Sequence, residues 1–334
     1  MPSNPVSSWR RSDIMQANMV SAINNALELL MKESDKVIVF GEDVGKDGGV
    51  FRVTEGLQAK FGPGRVFDTP LAESVIMGSA IGMAMSGLRP IPEMQFAGFM
   101  YLAFSQLVNH AARFRSRTRS NLKVPLVVRT PVSGGVRTLE HHSESPEAFY
   151  SHAGGLIVVE PSNPYDAKGL MIKASHMDDP VVFLEPTKLY RLFKQEIPDE
   201  MYEVPIGKAA MVSEGEDLTV VTYGTMVPVV KDVVGKRNLS ADVIDLRTIN
   251  PFDEETVINS AKKTGRVVIV HEAPLSFGAG AEIAARIADK AIFELDAPVI
   301  RVGSDSLPYP FPGYENYYIP NEIKISKAID RVLQ

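Results

Sequence analysis

The sequence predicts an α/β protein of two domains, and three observations carry that reading. Short apolar runs such as VIVFG (37–41), PLVVRT (125–130) and VVFLEP (181–186) alternate with segments of helical length. The alternation is interrupted between about Leu189 and Val204 by a charged, proline-bearing stretch, FKQEIPDEMYEVP, and then resumes. At 334 residues the chain is long enough to bury two cores of ordinary size. The expected organisation is a first domain over 1–188, a linker over 189–204 and a smaller α/β domain over 205–334.

In chain order, an amphipathic helix from about Asn18 to Lys32 precedes VIVFG, which ends in Glu42 and Asp43. Acids at the carboxyl end of a strand stand where open α/β sheets place their ligands. A Gly-rich turn, KDGGV, leads to a helix around Thr54–Phe61 and a strand over 65–68. Next comes DTPLAESVIMGSAIGMA (68–84), the stretch around which the chain is organised. Thr69 is its expected N-cap and Pro70 its first helical residue.

Glu73 stands four residues after Thr69, one beyond the capping-box position, and no further charged residue follows until Arg89. A lone carboxylate heading an uncharged run is either paired or shifted in pKa, and both outcomes are frequent at functional sites. A solvated glutamate favoured by the helix dipole is the competing reading. Gly78 and Gly82, four residues apart, leave gaps on one helix face. Such gaps predict a close helix–helix contact, within the chain or across a subunit boundary, because helical glycine otherwise costs about 1 kcal/mol. The run is too short to span a membrane.

The strand PIPEMQF, a helix from about Tyr101 ending in RFRSRTRS, and the strand PLVVRT follow. A long loop over 131–147 then precedes the strand LIVVE, a helix over Pro164–Ser175 and the strand VVFLEP. Beyond the linker, DLTVVTYG, ADVIDLRTI, GRVVIVHE and APVIRVG read as strands. Helices are expected between them around Val227–Lys236, after Asp253 and around Ala279–Lys290.

Composition removes several function classes. Hydrophobic residues make up 45% and charged residues 23% of a chain with net charge −6, an ordinary globular balance that disfavours nucleic-acid binding. There is no cysteine, which excludes disulfides, thiolate metal sites and cysteine nucleophiles. The N-terminal MPSNPVSSWRRSDIMQ has no apolar core after its arginines, so a secretory signal is not expected and the cytoplasm is.

Other motifs divide between bland and functional readings. The 131–147 loop is longer than most connections and holds His141 and His142 among Glu140, Glu144 and Glu147. Adjacent loop histidines lack the one-face spacing of helical zinc motifs, so proton transfer is favoured over a metal site. Gly278-x-Gly280 after RVVIVHE lacks the third glycine of a dinucleotide fingerprint, and helix packing explains it better. Arg113, Arg115, Arg117 and Arg119 read as a solvated or salt-bridged subunit surface in so acidic a chain. No phosphate loop, nucleophile elbow or kinase signature is present.

Taken together, VIVFGEDVG, GRVFDTPLAES, GLRPIPEMQFAGF, HHSESPEAFYSHAGGL, EPTKLYR, VIDLRTINPFD and HEAPLSFGAGAEI resemble one family from about residue 13 to the C-terminus. The family is the beta subunit of the thiamine-diphosphate-dependent, decarboxylating component of 2-oxo acid dehydrogenase complexes. The resemblance implies a transketolase-like pyrimidine-binding domain followed by a transketolase C-terminal domain. It implies assembly of two alpha and two beta chains, docked on a dihydrolipoyl acyltransferase core, with a beta–beta contact through the Gly78/Gly82 face. The alpha chain would hold the diphosphate and magnesium through a Gly-Asp-Gly motif; this chain has only Asp47-Gly48-Gly49.

By the same resemblance, Glu73 bonds the aminopyrimidine ring of thiamine diphosphate and promotes loss of the thiazolium proton. Glu42 lies near it, Phe99 stacks on the pyrimidine, and Gln95 and Leu71 line the pocket. His142 serves acyl transfer to the lipoyl group. Potassium is expected at backbone carbonyls near Ala174, Met177 and Asp179. ESPEAFYSHAGGL, FLEPTKLYR and HEAPL resemble the branched-chain type more than the pyruvate type, with pyruvate and acetoin enzymes as alternatives. From other classes, an inert scaffold docking alpha to the core and a metal-dependent hydrolase built on His141, His142 and Glu144 are the competing readings.

Overall fold

The structure is a computed structural model that describes residues 14–334, so the N-terminal segment considered for targeting lies outside the described residues. Its larger sheet has seven strands, in the order Thr248–Asn250, Ile157–Val159, Val181–Pro186, Val127–Val132, Arg89–Glu93, Val37–Gly41 and Val66–Asp68. Every neighbouring pair is parallel except Thr248–Asn250, which runs antiparallel to Ile157–Val159. The second sheet has five strands, in the order Ile300–Ser304, Val267–Pro274, Leu218–Thr222, Ala241–Asp245 and Ala210–Ser213. Its edge strand Ala210–Ser213 is antiparallel and the rest parallel.

Central strands in both sheets are buried along their whole length, which is why they read as continuous apolar runs rather than alternating ones. On one face of the larger sheet, Val20, Ile23, Leu27 and Leu30 of helix Met19–Glu33 pack with Ala167, Leu170 and Met171 of helix Pro164–Ser175. Each fully buried aliphatic side chain of this kind contributes about 1.5–3 kcal/mol of transfer free energy. On the other face, Ile76, Met77, Ala80, Ile81 and Ala84 of helix Glu73–Met85 join a core that continues through Tyr150, Tyr223, Ile244 and Ile249 into the second sheet. The two sheets therefore share apolar core, and the strand Thr248–Asn250, which follows Ala241–Asp245 of the smaller sheet in sequence, joins the edge of the larger one.

Within the stretch 189–204, Gln195–Pro198 pairs antiparallel with Ile14–Ala17, Ile197 is buried, and Lys168 Nζ donates to the Pro198 and Asp199 carbonyls. Two local expectations are corrected. Thr69 is not the N-cap. Its N–H bonds the Gly41 carbonyl at 3.0 Å, so the chain is still held against the neighbouring strand there, and the helix begins at Glu73 behind Ala72. The helix expected from Tyr101 starts earlier, at Ala97, and is irregular, with a π turn over Gln106–His110. Among the described residues no helix is long and apolar enough to cross a membrane.

Candidate active site

Glu42 directly follows the strand Val37–Gly41, and Glu73 is the first residue of the helix Glu73–Met85. Both carboxylates are buried, at 3% and 7% exposure, although they arise from different layers of the fold. Oε1 of Glu42 has no hydrogen-bond partner among the described residues. Burial, and after it the charges of Glu73 and Asp43, push the Glu42 carboxyl up to about 7. A carboxyl at the end of the larger sheet thus titrates in the neutral range, well above an ordinary glutamate.

The neighbouring strand end supplies the other wall. Gln95 donates Nε2 to Asp43 Oδ2 at 2.9 Å, tying the two loops together. Phe96, just before the short helix Ala97–Met100, and Phe99 within it meet edge to face, with centroids 5.9 Å apart. The His142 ring stands against both, 4.2 Å from Phe96 and 5.3 Å from Phe99, and its Nδ1 is buried with no partner among the described residues. The loop comes this close because residue 98 is glycine: a Cβ there would lie 2.5 Å from the His141 carbonyl oxygen.

The structure therefore brings Glu42, Glu73, Gln95, Phe99 and His142 to one end of the larger sheet. Leu71 differs, being 81% exposed in the single chain. Gly78 and Gly82 are also exposed, and a Cβ on either would meet nothing within 4 Å, so at these glycines the helix packs against nothing among the described residues. His141 is exposed, at the margin of the cluster, its ring 6.3 Å from that of Phe99. Glu144 accepts from Tyr101 and Glu147 from Tyr223, so these acids turn to separate partners, and no group of three metal-ligating side chains forms among the described residues. Of the carbonyls expected to hold potassium, that of Met177 accepts from the Arg89 guanidinium and that of Ala174 from the Met177 N–H, each keeping a second lone pair, while the Asp179 side chain pairs with Arg115.

Sequence reasoning placed Asp43 beside Glu42 at the strand end but missed Phe96. Adjacency to Gln95 was the available signal, but nothing in the sequence says which of two neighbours faces the site.

Residues 15–192 match the family model for the transketolase pyrimidine binding domain and residues 207–325 that for the transketolase C-terminal domain. The pyruvate dehydrogenase E1 component subunit beta of Acholeplasma laidlawii is 50% identical over 317 residues, covering 94% of this chain and 97% of that protein. This chain belongs to the E1 beta-subunit family of 2-oxo acid dehydrogenases. E1 beta subunits named for pyruvate dehydrogenase from Staphylococcus epidermidis and Bacillus subtilis are 48% and 46% identical, each over 322 residues covering 96% of this chain and 99% of theirs. A split-gene transketolase, described as an inactive beta4 tetramer, superposes with a TM-score of 0.78 at 22% identity, covering 96% of this chain and 99% of that one, which shows the shared fold alone.

The branched-chain expectation for this beta subunit is not supported, since these relatives are pyruvate dehydrogenase subunits. The structure gives the reason. In ESPEAFYSHAGGL, Glu147 bonds Tyr223 and Tyr150 is core; in FLEPTKLYR, Glu185 and Tyr190 bond each other; in HEAPL, His271 is fully buried. These residues report packing, not the pocket beside Phe99, so they carry no information about substrate.

Proposed function

We propose that this chain is the beta subunit of a thiamine-diphosphate-dependent E1 enzyme that decarboxylates pyruvate and passes the acyl group to a lipoyl acceptor. The observation that supports it most is the buried pair Glu42 and Glu73, with an orphaned oxygen, beside an aromatic wall at the carboxyl end of a parallel sheet. Such a site fits a planar heteroaromatic base that both donates and accepts hydrogen bonds. The names of the relatives favour pyruvate as substrate.

Thiamine diphosphate, when bound, would supply the electron sink that decarboxylation of a 2-oxo acid needs. Glu73 would hold the proton on the aminopyrimidine ring nitrogen, and Glu42, protonated near neutrality, would keep the neighbouring charge from opposing it. Phe99 offers a ring face for stacking, with Gln95 and Leu71 at its margin. His142, held by aromatic edges and without a partner at Nδ1 among the described residues, is suited to move a proton during acyl transfer. This chain carries no Gly-Asp-Gly diphosphate motif, so an alpha chain would hold the diphosphate and magnesium and complete the site. The exposed Leu71, Val75, Gly78 and Gly82 face offers apolar, close-approach surface for assembly of two alpha and two beta chains.

The test is cofactor-dependent decarboxylation by this chain purified with and without a co-expressed alpha partner, using pyruvate and branched 2-oxo acids. Turnover requiring both chains, with pyruvate preferred, is expected. Preference for a branched acid would reverse the substrate assignment. Glu73→Ala should assemble normally yet lose about 10²–10⁴ in rate; full activity in that variant would instead favour a scaffold role.

A further inference from the structure

The loop that carries His142 is fastened by the other half of the chain. Ser133 opens it in the left-handed region at φ 70°, and Gly134 and Gly135 follow. The Gly134 N–H donates to Glu272 Oε1 at 2.5 Å, from the strand Val267–Pro274. The Gly135 N–H donates to Glu315 Oε1 at 2.9 Å and the Arg137 N–H to the same carboxylate at 3.3 Å. Glu315 is 2% exposed and also accepts from the Tyr309 hydroxyl at 2.5 Å. At the far end of the loop, Glu147 Oε1 accepts from the Tyr223 hydroxyl at 2.7 Å.

Both glycines are required by this docking. A Cβ on Gly134 would sit 1.8 Å from the Tyr309 hydroxyl oxygen, and Gly135 has φ +83° with Lys188 packed where its Cβ would be. Within the loop, the Ser133 N–H donates to the Glu144 carbonyl, Thr138 bonds Ser143, and the His142 N–H donates to the Leu139 carbonyl. The His142 Nδ1 has no partner among the described residues, so the ring is oriented by its contacts with Phe96 and Phe99 and by the backbone that carries it. That backbone hangs from Glu315 and Glu272.

We propose that Glu315 is a positioning residue for His142, acting through the Gly135 and Arg137 amides, so that the C-terminal half of the chain sets the geometry of the transfer step. This rests on the function proposed above for His142. A displacement of about 1 Å at a reacting group can cost roughly 100-fold in rate, so a slackened loop should be visible kinetically.

The experiment uses the assembled alpha–beta enzyme with Glu315→Ala, Glu315→Gln, Tyr309→Phe and, as a surface control, Glu200→Ala. Amide exchange over 134–144 and the rate of reductive transfer to a lipoyl acceptor are measured together. Glu315→Ala should accelerate exchange at Gly135 and Arg137 and lower kcat for transfer by roughly tenfold or more, with thiamine-diphosphate affinity unchanged. Glu315→Gln, which keeps a carbonyl acceptor, should recover part of that loss, and Tyr309→Phe should fall between. If Glu315→Ala does not assemble, the other two variants carry the comparison. Unchanged exchange, unchanged kcat with faster exchange, or parallel loss of cofactor affinity and kcat would each overturn the positioning role. A wild-type enzyme that reduces no lipoyl acceptor would instead overturn the function assigned to the site, and exchange would still report whether the clamp exists.

Discussion

Arg129 meets Glu185 through two parallel contacts, Nε to Oε1 and Nη2 to Oε2, each 2.7 Å long, and neither side chain is exposed. The same guanidinium also binds Glu93, and the Tyr190 hydroxyl donates to Glu185 Oε2 at 2.6 Å. Three adjacent central strands, Arg89–Glu93, Val127–Val132 and Val181–Pro186, are thereby joined beneath the loop ends that carry the site. Charge bonded this completely inside a sheet is stable only while every partner is present.

Removing the arginine should therefore be far worse than its packing alone would suggest. Arg129→Met leaves Glu93 and Glu185 buried together without a cation. A loss of about 3–5 kcal/mol of unfolding free energy is expected, measured by denaturant titration of the purified chain. Glu185→Gln, which keeps one acceptor for the guanidinium, should cost less. Equal losses in the two variants would mean that shape, not charge, is what the site holds.

At the mouth of the site, Glu42 is pushed up to about 7 first by burial, then by Glu73 and Asp43. Neutralising the second of these causes with Glu73→Gln should move the Glu42 titration downward, though not back to an ordinary glutamate value, because burial remains. Infrared or carbon-detected NMR titration of the Glu42 carboxyl reads this directly. No movement would show that the two carboxylates do not sense each other.

The parts of this fold that can be read from sequence are those set by local chemistry. Helix Pro164–Ser175 is capped by Asn163, and helix Glu254–Thr264 by Asp253, because each cap and its amide are three residues apart in the chain. Glu42, Glu73, Phe99 and His142 lie in short stretches whose resemblance to one family was evident, and the fold brings them together. The hidden parts depend on partners far away in sequence. Thr69 lost its capping role to a bond with Gly41, and Gly134 owes its identity to Tyr309, 175 positions on. The substrate subtype is hidden for the same reason: residues such as Glu185 and Tyr190 answer to Arg129 rather than to the pocket.

Gly278 and Gly280 supply a test of packing against cofactor binding. A Cβ on Gly280 would lie 2.6 Å from His271 Nε2, and one on Gly278 would lie 2.8 Å from its Cε1. The glycines make room for a fully buried imidazole rather than for a dinucleotide. Gly280→Ala should destabilise the chain by about 1–3 kcal/mol through overpacking, and the double variant Gly280→Ala/His271→Ala should recover part of that loss. Additive effects in a double-mutant cycle would contradict the contact.

Glu147 should make stability depend on pH in a direction that can be stated beforehand. It is 1% exposed, and burial pushes its carboxyl up to about 7 against the Tyr223 hydrogen bond, with the Glu272 charge adding to the rise and Glu160 facing the same cluster. A carboxyl raised in the folded state binds its proton more tightly there than in the unfolded chain. Its contribution is thus fully present below the ordinary glutamate value near 4.5 and is lost as pH rises through 7. At about 1.4 kcal/mol per pKa unit the effect is on the order of 3 kcal/mol. Glu147→Gln keeps an acceptor for Tyr223 and removes the titration. The variant's Tm relative to wild type should therefore climb between pH 5 and pH 8 in parallel melts, whereas a constant offset across that range would place the pH sensitivity elsewhere.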